Sequence, residues 1–339
     1  MSPLFVDAHL DLAYNALRGR DLLRPAREQP PDDEGTPAVG LPDLRAGGVG
    51  LICGTLFCEP AGAGTPAGYT TADEAHTVAR AQLAWYAAQS ATRAMRLVRG
   101  AGDLPPPGGD DPHAVPLPAI VLMEGADPIR TPDDVAAWAD LGVRAVGLAW
   151  KRTRYAGGTG DPGPLTPAGR DLVPALDAAG MIHDTSHLAE DSFWELLDAA
   201  TGPVMASHSN CRALIPTDRQ LSDDMIRALA GRGGVIGVNF YDRFLIPPGQ
   251  YGRRRATLAD VVQQVRHLCD VTGDPTRVGL GTDMDGGFGC ERLPMELRTA
   301  ADLPKVAAAL AAAGFGPAEV RGIMGENWLA FFRAALPPS

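Results

Sequence analysis

Eight short apolar runs recur along this chain with helix-like stretches between them: Leu4–His9, Val49–Phe57, Ala119–Glu124, Val143–Trp150, Gly180–Thr185, Pro203–Ser207, Gly234–Phe240 and Arg277–Asp283. The runs are near-continuous in apolar residues rather than alternating. Strands buried on both faces of a parallel sheet read this way; antiparallel strands with one wet face do not. Strand–helix alternation repeated this often predicts a (β/α)8 TIM-type barrel. We expect one domain over residues 1–339, with Pro/Gly-rich loops inserted near 24–40 and 100–118. A doubly wound open sheet is the alternative. Against it, the first run is followed by no GxGxxG but by an HxD.

The intervening stretches carry helix start signals. Thr71-Ala72-Asp73-Glu74 is a capping box opening a segment expected to reach about Val98. Thr131-Pro132 and Thr166-Pro167 each put a capping residue before a proline at the first helical position. Ser222-Asp223-Asp224 opens another helix, which must end near Gly231–Gly234. Further helices are expected from Thr257 to about Val271, over Leu303–Ala313 and over Pro317–Ala335.

A net charge of -11 argues against nucleic acid or an acidic membrane surface as partner. No run approaches the ~18 apolar residues of a membrane span. The N-terminus lacks a basic leader-like region, so a cytoplasmic location is expected. Five cysteines, Cys53, Cys58, Cys211, Cys269 and Cys290, form no CxxC pair, and they read as reduced, buried thiols.

Residues that bind metal stand at the ends of these runs. His9 and Asp11 form an HxD at the first; i and i+2 on a strand face the same side, so both can reach one ion. Glu124 closes the third run, where a buried carboxylate is costly unless paired or bound to a cation. His187 and His208 close the fifth and sixth. In a barrel these ends converge, and three histidines with two carboxylates suit a pair of zinc-like ions, one carboxylate bridging. Asp283 ends the last run, where a carboxylate beside two cations can take and give protons. Asp285 competes for that role, with loop capping as its plainer one. Arg219 can pair bidentately with a substrate carboxylate, against its reading as a surface arginine. His183 lies within its strand and reads as structural; His76, His113 and His267 are assigned no function.

Taken together, Asp7-Ala8-His9-Leu10-Asp11, Glu124-Gly125, Asp184-Thr185-Ser186-His187, Ser207-His208-Ser209-Asn210-Cys211-Arg212-Ala213, Gly281-Thr282-Asp283-Met284-Asp285-Gly286 and Gly325-Glu326-Asn327-Trp328 resemble the membrane (renal) dipeptidase family, peptidase family M19, among the amidohydrolase-like metal barrels. Relatives in the wider superfamily mostly place HxH on the first strand, whereas HxD is similar to this family.

The resemblance implies two zinc ions per chain, one held by His9 and Asp11, the other by His187 and His208, with Glu124 bridging. It implies a metal-bridging hydroxide attacking the peptide bond of a small dipeptide, often L-Xaa-D-Xaa. Asp283 would be the proton shuttle and Arg219 the carboxylate clamp. It also implies a homodimer. The chain departs from the family where a substrate-contacting histidine commonly follows the fourth strand; Trp150 stands there, and tryptophan donates one hydrogen bond but binds no metal. Lys151, one of only two lysines, raises the rival of a carbamylated-lysine bridge. The alternatives in function are another metal-dependent amidohydrolase, acting on an N-acyl amino acid or a lactone, and a catalytically silent relative.

Overall fold

The computed structural model describes residues 4–62, 68–106 and 116–338. Among them are nine strands: β1 (Phe5–Leu10), β2 (Val49–Phe57), β3 (Met95–Leu97), β4 (Leu117–Glu124), β5 (Val143–Gly147), β6 (Ile182–Asp184), β7 (Val204–Met205), β8 (Ile236–Val238) and β9 (Val278–Leu280). All pairings between strands are parallel, in the order β7-β6-β5-β4-β2-β1-β9-β8. A parallel bridge from Ala206 to Ile236 joins the two ends of that order. Three hydrogen bonds support the join: Ala206 N to Val235 O at 3.0 Å, Gly237 N to Ala206 O at 2.8 Å and Ser209 N to Gly237 O at 2.7 Å. The result is an eight-stranded barrel with helices between its strands, as the apolar runs predict.

The barrel's interior follows from period 2. Leu51 and Cys53 of β2, Ile120 and Leu122 of β4, Ile182 of β6 and Met205 of β7 form one buried cluster inside it. Two residues further on, each of these series turns polar: Thr55, Glu124, Asp184 and Ser207. Apolar layers therefore fill the lower barrel and a polar layer crowns it at the strands' C-terminal ends. The helix Asn327–Ala335 plugs the other end, with Trp328 and Phe332 packed on the same cluster and Trp328 Nε1 donating to Leu280 O at 3.0 Å.

Several boundaries differ from expectation. The helix opened by Thr71 has the predicted capping box but ends at Ala91; Arg93 turns the chain at φ 61, and Met95–Leu97 pairs with Leu117–Ala119 as β3. The tail is helical from Pro317 to Ala335 as expected, but a π-helical turn, Gly322–Glu326, lies between Pro317–Arg321 and Asn327–Ala335. The strands after Val143 stop sooner than their apolar runs, so Trp150, His187, His208 and Asp283 all lie in loops just beyond strand ends.

The insertion near 24–40 is ordered: a 3-10 turn at Ala26–Glu28 leads to a bridge between Asp32 and Gly35, and Ala38 and Val39 are fully buried. Of the insertion expected near 100–118, residues 107–115 lie outside the described residues, as does His113, and Leu117 and Pro118 belong to β4. No helix among the described residues is long and apolar enough to cross a membrane.

Candidate active site

The crown of the barrel brings His9, Asp11, Glu124, His187, His208 and Asp283 together. Among the described residues, ligand atoms lie within 4.8 Å of one another in three groups: His9, Asp11 and Glu124; Glu124, His187 and His208; and His9, His208 and Asp283. Glu124 lies between the first two. Its Oε2 is 3.6 Å from His9 Nε2, while its Oε1 is 3.3 Å from His187 Nε2 and 3.5 Å from His208 Nε2. His9 Nε2 is also 3.8 Å from Asp11 Oδ2 and 3.9 Å from Asp283 Oδ1.

Two local devices aim these groups. Glu124 is the last residue of β4, and Gly125 after it turns at φ +82, a conformation glycine adopts without cost. His187 and Asp283 reach φ 67 and φ 60 without being glycine. Left-handed backbone at a non-glycine residue costs of order 1–3 kcal/mol and persists where its surroundings force it.

Hydrogen bonds fix the imidazoles. Ser207 Oγ donates to Asp184 Oδ2 at 2.6 Å and lies 2.7 Å from His208 Nδ1. Having given its proton to Asp184, the hydroxyl accepts one from Nδ1, so the lone pair of His208 sits on Nε2 and faces the cluster. Thr159 does the same for His187: its hydroxyl reaches His187 O at 3.3 Å and lies 3.1 Å from Nδ1. Two unprotonated Nε2 atoms then stand 3.0 Å apart. Lone pairs so close repel unless a cation lies between them. Distances of 3.0, 3.3 and 3.5 Å among His187, His208 and Glu124 match the ~3.3 Å edge of a tetrahedron with ~2.0–2.1 Å bonds.

The charges tell the same story. Burial, helped by Arg219 and His9, holds His187 and His208 well below their usual range, hence neutral. Burial also pulls the His9 imidazole down, but Glu124, Asp11 and Asp283 around it outweigh this and raise it to about 10. Its Nε2 is buried with no hydrogen-bond partner. Burial pushes Asp11 up to about 6 and Asp283 up to about 8. Carboxylates held so far above their usual range around an unpartnered nitrogen are a site that calls for positive charge.

A cavity of about 340 Å³ opens above the cluster, with Asp11, Glu124, His187 and Asp283 in its lining. Trp150 lines it too. Lys151 is exposed at its rim, with Nζ 4.9 Å from the Trp150 ring. Arg219 is not a surface arginine but lies one layer deeper, 4% exposed, its guanidinium 5.3 Å from the Phe244 ring. Its Nη atoms donate to Ser209 Oγ and His208 O, both neutral, and its Nε has no partner.

Asp285 faces away from the cluster. It accepts from the backbone of Ala38 and Val39 and pairs with Arg20 Nη1 at 3.0 Å, pinning the inserted loop. His183 Nε2 donates to Asp177 Oδ1 at 2.7 Å, which is the structural role expected of it.

Sequence reasoning missed the residues that hold the ligands in place. Thr55 donates to Asp11 Oδ1, Asn239 Nδ2 donates to Asp283 Oδ2 at 2.9 Å, and Asp7 accepts from Thr282 N and Oγ1 at 2.8 and 2.6 Å. Nothing in the sequence marks them apart from the many other hydroxyl, amide and carboxyl residues. Replacing Ser207 by alanine is expected to weaken metal binding about 10–100-fold, the usual consequence of losing a ligand's outer hydrogen bond. Competition against a chelator at buffered free zinc measures this; an unchanged affinity would mean that Ser207 does not set the His208 tautomer.

A barrel crowned by such a cluster defines a metal-dependent hydrolase. The model of the membrane dipeptidase family, peptidase family M19, matches residues 2–336, and the chain belongs to that family of metallo-dipeptidases. It is 36% identical over 205 residues to an uncharacterized protein in the pqqA 5' region of Klebsiella pneumoniae, covering 58% of this chain and 73% of that one. Its match to an uncharacterized dipeptidase of Schizosaccharomyces pombe, at 31% identity, covers 63% of this chain and only 52% of the relative's length. The solved structure of dipeptidase AC, an M19 metallopeptidase, superposes with a TM-score of 0.82 at 26% identity over 99% of both chains. A metallopeptidase from Rhodobacter sphaeroides, liganded with a phosphinate mimic of L-Ala-D-Ala, shares the fold with a TM-score of 0.83 at 24% identity, over 99% of this chain and 100% of that one.

Proposed function

We propose that this protein hydrolyses the peptide bond of small dipeptides, L-Xaa-D-Xaa pairs among them, with two zinc ions held by His9, Asp11, Glu124, His187 and His208. The observation that carries this is the pair of histidine Nε2 atoms 3.0 Å apart, both within 3.5 Å of one oxygen of Glu124 while its other oxygen faces His9. When bound, the ions lower the pKa of a water and polarise the scissile carbonyl.

The chain's residues do the rest. Glu124 offers one oxygen to each side of the cluster. Asp283, held by Asn239 on one oxygen and near His9 on the other, takes the proton of the attacking water and passes it to the amine as the C–N bond breaks. Arg219 carries a buried charge with only neutral hydrogen-bond partners, which is costly in a folded protein. A substrate carboxylate beside Phe244 would offset it. The cavity, at about 340 Å³, is at the small end of ligand sites and suits a dipeptide better than a longer peptide.

The test is metal content and hydrolysis measured together. We expect two zinc ions per chain, cleavage of dipeptides in a panel with both configurations at the C-terminal residue, and loss of cleavage on chelation with recovery on zinc addition. Two ions without cleavage of any dipeptide would transfer the same site to N-acyl amino acids or lactones. We also propose that the chain works as a homodimer, which sedimentation would check.

A further inference from the structure

We propose, building on the dipeptidase reading, that Trp150 sets a preference for a large apolar or aromatic side chain on the N-terminal residue of the substrate. Trp150 is a rigid wall rather than a polar contact. Phe57 packs on it edge-on at 5.1 Å and 69°, Lys151 Nζ lies 4.9 Å from its ring, and the His187 ring is 6.2 Å away. Its carbonyl accepts from Thr159 N at 3.0 Å, and its backbone hydrogen-bonds the His187 ring. The indole is therefore fixed relative to the cluster, and it and Phe57 line the cavity.

The strand order says which substrate residue meets this wall. Phe57 ends β2 and Trp150 follows β5, so the wall spans the side of the barrel centred on β4. In an eight-membered ring β4 lies opposite β8, the strand that leads to Tyr241 and Phe244. Arg219 sits beneath Phe244, so the carboxylate, and with it the C-terminal residue, belongs on the β8 side. The residue on the other side of the scissile bond then faces Phe57 and Trp150. Glu59, two residues past Phe57, also lines that side and suits a free ammonium. A glycine or alanine there leaves the aromatic wall unfilled, whereas a leucine or phenylalanine covers it, and each buried methylene counts in such a pocket.

The experiment compares kcat/KM of the zinc-loaded protein for Leu-D-Ala and Phe-D-Ala with that for Ala-D-Ala and Gly-D-Ala. The large residues are expected to be preferred roughly 30-fold over alanine, within the range one or more methylenes give in an apolar pocket. The same exchange at the C-terminal residue is expected to matter less. Trp150→Ala should bring the N-terminal ratio to about 3 or below, while Trp150→Phe keeps most of it. The ratio is internal to each variant, so loss of metal or of active fraction does not imitate the effect. Where the alanine variant does not fold, Trp150→His asks the same question and should lower the ratio below about 10. A flat wild-type ratio, or one unmoved in Trp150→Ala or Trp150→His, overturns the assignment and leaves the dipeptidase reading standing. Cleavage of no dipeptide at all overturns both.

Discussion

Asp283→Asn is expected to lower kcat by about 10²–10⁴ with both metal ions retained and KM little changed. This is the usual worth of a positioned proton-transfer group. Asparagine keeps the size of the side chain and can still accept from Asn239 with its carbonyl oxygen, so the fold has no reason to respond. What it cannot do is carry a proton from the water to the leaving amine. The outcome also separates two roles, because Asp283 lies within ligand distance of His9 and His208. If Asp283 holds an ion, the variant loses metal along with turnover. If it shuttles protons, metal counts stay the same while single-turnover rates collapse. A variant that keeps both full metal content and full activity would remove Asp283 from the chemistry altogether.

The second large effect is on stability and lies just outside the cluster. Asp285→Ala is expected to destabilise the fold by about 3–5 kcal/mol, the cost of breaking a buried charge pair from one side. The Arg20 side chain it pairs with is 4% exposed, and the backbone N–H groups of Ala38 and Val39 lose their acceptor at the same time. Arg20 keeps Asp32, at 2.6 Å, which favours the lower end of the range. With an unfolding entropy of roughly 2 cal/mol/K per residue, a chain of 339 residues would lose about 4–7 °C in Tm. Thermal unfolding checks this, and limited proteolysis should find new cuts between residues 20 and 40. A shift below about 1 °C would mean the inserted loop is held by something else.

The strands were legible because parallel strands buried on both faces cannot hide: their sequence is apolar without a break. Their ends were less so. Leu148 and Ala149 are fully buried although β5 stops at Gly147, since apolar residues serve a buried loop as well as a strand. The run Met95-Arg96-Leu97 continues an alanine-rich helix in composition, and the turn that separates them is made by Arg93 rather than by a glycine.

The site divides in the same way. The residues with the highest cost of burial, His9, Glu124, His187, His208 and Asp283, stood out at the ends of apolar runs. Arg219 was legible as a charge but not as a buried one. Ser207, Thr159, Thr55 and Asn239 were not legible at all, because hydroxyl and amide residues are common everywhere and only their hydrogen bonds distinguish them.

His187 and Asp283 share a left-handed backbone that suits glycine better. A laboratory search for hardier versions of this protein would therefore be drawn to these two positions, where relaxing the backbone is rewarded at once. Each such gain at His187 or Asp283 would remove the group that the strain serves to aim. Selection for heat tolerance alone should accumulate inert survivors, and a screen meant to keep the enzyme working has to score turnover and endurance in the same clone.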